Sequence, residues 1–272
     1  MRRGLILVLA MVAAILVTAT DANTVSCTLS SCPGPRELVA TFGGTVSPGK
    51  LPRNDYVPVN ANVFGRIATT DGTHPSALRE AVVDIDKDIG VRVKRLPVCL
   101  SGPHYDIREP DGGRSKIEKT CPGALIGRGE AQFEIAFPEQ EPIKVTSPLL
   151  VINGGEKGGE VTLLIHTFIS VPAPTAIVTT VTITRKGSGI HAVAKVPVIA
   201  GGSGSLIGFN FKLGKTYSYE GKKVGYFEAK CPDGVFKINF PELLFENEAH
   251  TPGVAAATGL KGSQTVPCTP YG

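Results

Sequence analysis

Alternation of apolar and polar residues at a period of two recurs along this chain, broken each time by a cluster of turn residues. It is plainest in residues 224–240, VGYFEAKCPDGVFKINF. Val224, Tyr226 and Glu228 alternate with Gly225, Phe227 and Ala229. Pro232-Asp233-Gly234 is a tight-turn signal, and Phe236, Ile238 and Phe240 then share one face. The stretch reads as strand, turn, strand, with Cys231 at the corner as a staple point. Period-two runs put successive side chains on opposite faces of a sheet. A chain dominated by them is committed to β structure.

The same pattern continues elsewhere. Residues 56–69 alternate through Val57, Val59, Ala61 and Phe64. Residues 142–152 and 161–169 flank Asn153-Gly154-Gly155-Glu156-Lys157-Gly158-Gly159, which is strong hairpin chemistry. Residues 176–184 carry Ile177, Thr179, Val181 and Ile183, and residues 190–199 and 206–213 follow across glycine-rich turns. Residues 77–93 begin with a helix-like ALREAVVDID, but the β-branched Val82, Val83, Ile85, Ile89, Val91 and Val93 favour strand. About a dozen strands at regular spacing predict an all-β antiparallel sandwich or barrel. The 272 residues, 42% of them hydrophobic, with 32 glycines and 21 prolines, suit one large domain of this kind.

The N-terminus reads as a secretory signal. Arg2 and Arg3 precede an unbroken apolar run over residues 5–17, followed by Thr18, Ala19, Thr20 and Ala22. The run is too short for a permanent membrane anchor. Cleavage is expected after Ala22, with Thr20 at the −3 position. The paired arginines leave twin-arginine export as a lesser alternative to general secretion. Cys27 is a poor lipidation site, because the expected Leu at −3 is replaced by Thr24. The expected organisation is a signal peptide over 1–22, a Ser/Pro/Gly-rich leader over 23–55 and a single all-β domain over 56–272.

Six cysteines, Cys27, Cys32, Cys99, Cys121, Cys231 and Cys268, fit an oxidising compartment. Fifteen connectivities exist for six cysteines. Proximity along the chain favours 27–32, 99–121 and 231–268. No Cys-x-x-Cys pair exists and no histidine stands at ligand spacing from a cysteine, which argues against zinc.

The remaining chemical signals are weak. Asp84, Asp86 and Asp88 resemble the opening of a calcium loop, yet the glycine falls one place late, at Gly90, and Arg95 stands where a bidentate Glu belongs. On a strand these acids share the solvent face. Gly214-Lys215-Thr216 lacks phosphate-loop spacing, and Gly202-Ser203-Gly204-Ser205 lacks that of a nucleophile elbow. The histidines, 74, 104, 166, 191 and 250, are scattered. His166, inside LLIHTF, reads as a structural core residue. His104, Tyr105 and Asp106, in an irregular stretch over 97–122, are the one catalytic-looking triplet. Tyr217 and Tyr219 share a strand face. No two carboxylates are paired by the sequence as a glycosidase requires, and Trp is absent. The net charge of +4 is dispersed, so no nucleic-acid footprint forms. No cofactor is implied.

Leu96-Pro97-Val98-Cys99, residues 121–129 (CPGALIGRG), Ala229-Lys230-Cys231-Pro232-Asp233-Gly234 and a last cysteine near the C-terminus carry a resemblance. The chain resembles a loosely defined group of uncharacterised secreted proteins of actinobacteria. The resemblance supports the 99–121 and 231–268 pairings and transfers no activity. The expectation is therefore a secreted or cell-surface β protein without catalysis, binding an extracellular or cell-wall ligand. Two alternatives stand beside it: a hydrolase with a site built near residues 97–122, and a carrier holding a small apolar ligand inside a barrel.

Overall fold

The structure is a computed structural model that describes residues 25–30, 38–99, 111–187, 189–246 and 258–272. It is all-β and carries two disulfides. The first strands are β1 (Val25–Ser30), β2 (Leu38–Ser47), β3 (Lys50–Pro52), β4 (Val57–Thr69), β5 (Leu78–Asp86) and β6 (Ile89–Val91). A short helix, α1 (Arg114–Thr120), precedes β7 (Leu125–Phe137), β8 (Gln140–Lys157), β9 (Glu160–Ile169), β10 (Thr175–Lys186), β11 (Gly189–Lys195) and β12 (Gly204–Leu213). The chain ends in β13 (Thr216–Tyr219), β14 (Lys222–Gly225), β15 (Phe227–Ala229), β16 (Val235–Phe245), β17 (Thr258–Pro267) and β18 (Thr269–Tyr271).

Twelve of these strands form one continuous series, β1-β2-β4-β12-β7-β8-β9-β10-β11-β5-β16-β17, antiparallel throughout. Its first and last members, β1 and β17, come to lie side by side, so the sheet rolls up into a barrel. Inward side chains meet across it. Phe42 of β2 stacks on Phe240 of β16 with ring centroids 5.3 Å apart.

The ladders follow the alternation in the sequence. Val181 faces Leu163 on one side and Ala194 on the other, and Ala194 faces Ala81. All four belong to the inward row. Where it is open to solvent the outward row is largely polar, with Arg66, Arg128, Glu130, Lys144, Asn210, Lys212, Lys237 and Lys261 exposed.

Both ends are closed. At one end β15 pairs with β4 and β6 and folds Phe227 inward beneath the barrel. Tyr226, Ala229 and Cys231, all fully buried, pack there, with Tyr226 edge-on to Phe227 at 4.9 Å. Ion pairs clamp this floor, with Arg92 2.9 Å from Glu228 and Lys230 3.5 Å from the buried Asp88. At the other end Leu38, Ile67, Leu78, Leu243, Phe245 and Leu260 fill the bore.

Several sequence readings change. Residues 224–231 and 235–240 do not form a hairpin: β15 is held by β4 and β6, and β16 by β5 and β17. Each strand has both edges occupied by other partners, so Pro232-Asp233-Gly234 turns the chain from floor to wall. Gly234 takes the positive φ, 92°, that the turn demands. Strand β2, read as part of a leader, is a full stave paired with β4 from Leu38 to Ser47. The described part of the irregular stretch, from residue 111, contains α1 and lies on the outer wall, where Ile117 and Ala124 cover Leu150, Ile152 and Leu164. The hairpin read across residues 153–159 does turn within that stretch, at Gly158 and Gly159, but β8 runs on to Lys157 past a register shift between Asn153 and Gly155.

The disulfides pair Cys99 with Cys121 and Cys231 with Cys268. Cys27 lies in β1, whose side chains are outside the described residues, as is Cys32, so the 27–32 pairing falls outside them too. The 37-residue separation between Cys231 and Cys268 corresponds to about 3.8 kcal/mol of stabilisation in the chain-entropy model. Replacing both cysteines with serine should lower the melting temperature by roughly 8–15 °C for a domain of this size. Calorimetry of the double variant beside untreated and reduced native protein provides the check; equal melting temperatures would mean the bond holds nothing.

Candidate functional site

The inward row leaves space in the middle of the barrel. A cavity of about 320 Å³ is lined by residues from β2, β4, β5, β7, β8, β9, β10, β11, β12, β16 and β17 together. The cause is residue size. Gly44, Ala61, Ala81, Ala131 and Ala194 stand at inward positions in the mid-wall, while Phe42, Phe209, Phe211 and Phe240 crowd one flank. Gly65 shows how tightly that flank is fitted. A Cβ there would lie 2.5 Å from the Phe209 ring and 2.9 Å from Phe42.

Val83, Ile85, Leu149, Ile165, Ile177 and Val181 supply most of the remaining surface. The polar residues of the lining's inward row are Thr167, Thr179 and Gln264, while Thr45 and Asn62 border it from the outward row, and none of the described lining residues is ionisable. Thr167 turns its hydroxyl to the Ile177 carbonyl. The Gln264 side chain, in contrast, has a buried carboxamide oxygen with no hydrogen-bond partner among the described residues. A second recess, of about 510 Å³, shares Thr45, Ala61, Asn62 and Leu213 with the cavity and adds Ser47, Asn60, Arg128 and Lys212. It is the polar neighbour of the apolar chamber.

Outside the bore, three residues that the sequence left apart come together. His74 Nδ1 lies 3.0 Å from Glu134 Oε1, and its Nε2 lies 3.1 Å from Ser205 Oγ. The order Ser-His-Glu resembles a hydrolase relay, but the hydrogen bonding runs the other way. Ser205 Oγ is 2.6 Å from the Pro75 carbonyl, which only accepts, so the single hydroxyl proton points there. His74 must then donate to Ser205, whereas a nucleophile's base accepts from it. Ser205 is also only 2% exposed. The three residues clasp the loop after β4 to the outer wall at the β7–β12 pair, where Ser205 lies opposite Glu134. Long-range pairing created this cluster, and no local spacing signals it.

The other expected sites resolve as follows. His104 and Asp106 lie outside the described residues. His166 is fully buried beneath α1, and its Nε2 donates to the Gly112 carbonyl at 2.9 Å. It is placed as a structural histidine, on the outer wall and away from the bore. Asp84, Asp86 and Asp88 do not converge. Asp84 is 2.6 Å from His191 Nδ1. Asp86 accepts from the backbone of Asp88 and Lys237 at 3.0 Å each. Asp88 is buried in the turn rather than on the solvent face, because Lys230 draws it into the floor. Tyr217 donates to the Lys94 carbonyl at 3.2 Å and Tyr219 lies beneath Lys94 and Arg95. Lys215 caps the carbonyls of Pro122 and Gly123. Among the described residues no group of His, Cys, Asp and Glu is arranged to hold a metal ion, and no helix is long and apolar enough to cross a membrane.

Comparison with protein-family models, with curated proteins and with solved structures returned no match.

Burial holds the His166 pKa below the usual imidazole value, outweighing its bond to Gly112. The unfolded chain takes up this proton at about pH 6.5 and the folded chain only at lower pH. Stability contributed by neutral His166 is thus present above that pH and lost as pH falls toward the folded pKa. Melting curves from pH 7.5 to 5 should show an acid-side loss that shrinks in His166→Gln. An identical pH slope in both proteins would remove His166 from the account.

Proposed function

We propose that this protein is a non-catalytic carrier that holds one apolar ligand inside its barrel. The observation behind the reading is the charge-free chamber of about 320 Å³ enclosed by eleven strands. Ligand sites in proteins occupy roughly 300–1,000 Å³ and are mostly apolar with a few placed polar groups. The chamber matches both descriptions. Apolar voids are costly when empty, at about 24 cal/mol per Å³ in a well-studied series. An occupant removes that cost, and an engineered apolar cavity of about half this size stays dry and takes up benzene.

The exterior supports the same reading. A membrane-spanning barrel carries an apolar band outside and a polar lumen. Here the order is reversed, with an apolar bore and an outward row bearing Arg66, Glu130, Lys144 and Lys237. A polar outside and an oily inside are what a carrier moving through water needs. The disulfides agree with delivery to an oxidising compartment. We read the apolar segment over residues 5–17 as its export signal and the mature protein as secreted or held at the cell surface.

Two measurements test the reading. Solvent extraction of the purified protein should release an apolar molecule detectable by mass spectrometry. Titration of the extracted protein with N-phenyl-1-naphthylamine, a neutral fluorophore bright only in apolar surroundings, should saturate at one per chain. Ala131→Leu and Ala81→Leu add bulk to inward, mid-wall positions and should weaken the fluorophore by about tenfold or more each, while melting curves confirm that the variants fold. Unsaturable binding, or equal affinity in the filled variants, would refute the carrier.

A further inference from the structure

We propose that the ligand is uncharged and bears a hydroxyl, an apolar chain or ring alcohol whose O–H donates to Gln264 Oε1. The inference rests on the carrier reading and narrows it to a chemical class.

Two observations lead to it. The first is the absence of any ionisable side chain among the described residues that line the chamber. A carboxylate or phosphate drawn inside would leave water without a counter-ion to meet it, which a bore of this composition cannot compensate. Charged lipids are thereby disfavoured as complete occupants. The second is Gln264 itself. It sits on β17 opposite Ile238, between Gly262 and Val266 in the inward row, and it is a long amide in a wall built mostly of aliphatic and aromatic residues. Among the described residues its carboxamide oxygen is buried without a partner. A buried acceptor left unpaired is destabilising, and native proteins seldom retain one without a use. A ligand donor placed against it would complete the set.

Thr45 and Asn62, on the outward row of β2 and β4, border both the chamber and the polar recess that adjoins it. They face each other across the β2–β4 ladder. An alcohol held with its hydroxyl at Gln264 would bury its apolar body among Leu149, Ile165, Ile177 and Val181. The hydroxyl is the only part that needs a polar partner, and a single amide provides one. Neutral hydroxyl recognition by a lone amide is strongly selective, because a ligand without the donor leaves the acceptor unsatisfied.

Competition against N-phenyl-1-naphthylamine at pH 8 separates the possibilities, using 1-dodecanol, dodecyl methyl ether and dodecanoate on the full native chain. Dodecanol should displace the fluorophore at a concentration about tenfold lower than the ether, the value of one neutral hydrogen bond. Dodecanoate should be the weakest of the three. In Gln264→Leu, the alcohol and ether should become equal while the fluorophore still binds. Gln264→Met, closer in length and shape, repeats the comparison if the leucine variant melts early. Equal displacement by alcohol and ether in the native protein overturns the proposal, as does an alcohol advantage that persists without Gln264, or preferred binding of dodecanoate. A fluorophore that does not bind the native protein at all defeats the carrier reading, and this inference with it. Binding of the fluorophore with no alcohol preference defeats the inference alone.

Discussion

Register is the constraint on which the rest of this molecule depends. Side chains alternate with a period of two, so a slip of one residue in any ladder moves a whole row from the bore to the surface. In this barrel such a slip would expose Val181, Leu163 and their row and would drive Thr180, Thr182 and the charged outer residues inward. Eleven consecutive ladders must agree for the bore to be continuous. The shifts that interrupt them, at Leu206/Gly208 in β12, between Phe240 and Leu243 in β16 and near Leu125 and Phe137 in β7, restore the row after each irregularity. Bulges of this type also add local twist and bend, which a sheet needs if its two edges are to meet.

The chamber follows from what the register brings together. Phe209 is level with Gly65 on one side and Ala131 on the other, and Phe211 is level with Val63 and Gly129. Large residues thus stand beside small ones around one half of the wall. The rings lie across the glycines and leave the facing half, with its alanines and valines, unopposed. The two ends differ in kind. The clusters around Phe245 and around Tyr226 are packed with residues of zero to a few per cent exposure, so the void is confined to the middle. The ends are where stability resides, and the Cys231–Cys268 bond ties one of them. Cys268 also donates its backbone N–H to the Gly234 carbonyl at 2.9 Å, so the staple and the ladder reinforce each other.

Much of the fold was legible because it is local. The alternation in residues 176–184 and 235–240, the β-branched bias that favoured strand over residues 77–93 and the proximity of Cys99 to Cys121 and of Cys231 to Cys268 are all carried by short stretches of chain. What could not be read was who pairs with whom. Strand β12 inserts between β4 and β7, and β5 between β11 and β16, partners separated by scores of residues with no periodic mark. The apparent hairpin at 224–240 failed for that reason: its two strands look complementary until β4, β6, β5 and β17 claim their edges. The candidate site was less legible still. Gln264 stands in a Gly-Ser-Gln-Thr stretch that reads as an unremarkable polar strand, and only the ladder to Ile238 turns it toward the bore. His74, Glu134 and Ser205 span more than a hundred residues, and their meeting depends on the same long-range pairings.

That the polar cluster and the apolar chamber occupy opposite faces of one wall bears on how the molecule divides its work. Glu134 and Ser205 point outward from β7 and β12, and their sequence neighbours Phe133 and Leu206 point inward to the chamber. The outward contacts fix the loop bearing His74 to the wall, and through it the register of the strands whose other face forms the cavity. A hydrophobic bore alone is non-directional and would tolerate collapse onto its own void. Directional bonds on the outer face, the ion pairs under the floor and the disulfide at its edge resist that collapse without placing a charge inside. The barrel can therefore keep an open, uncharged interior because the interactions that hold its shape lie outside the bore.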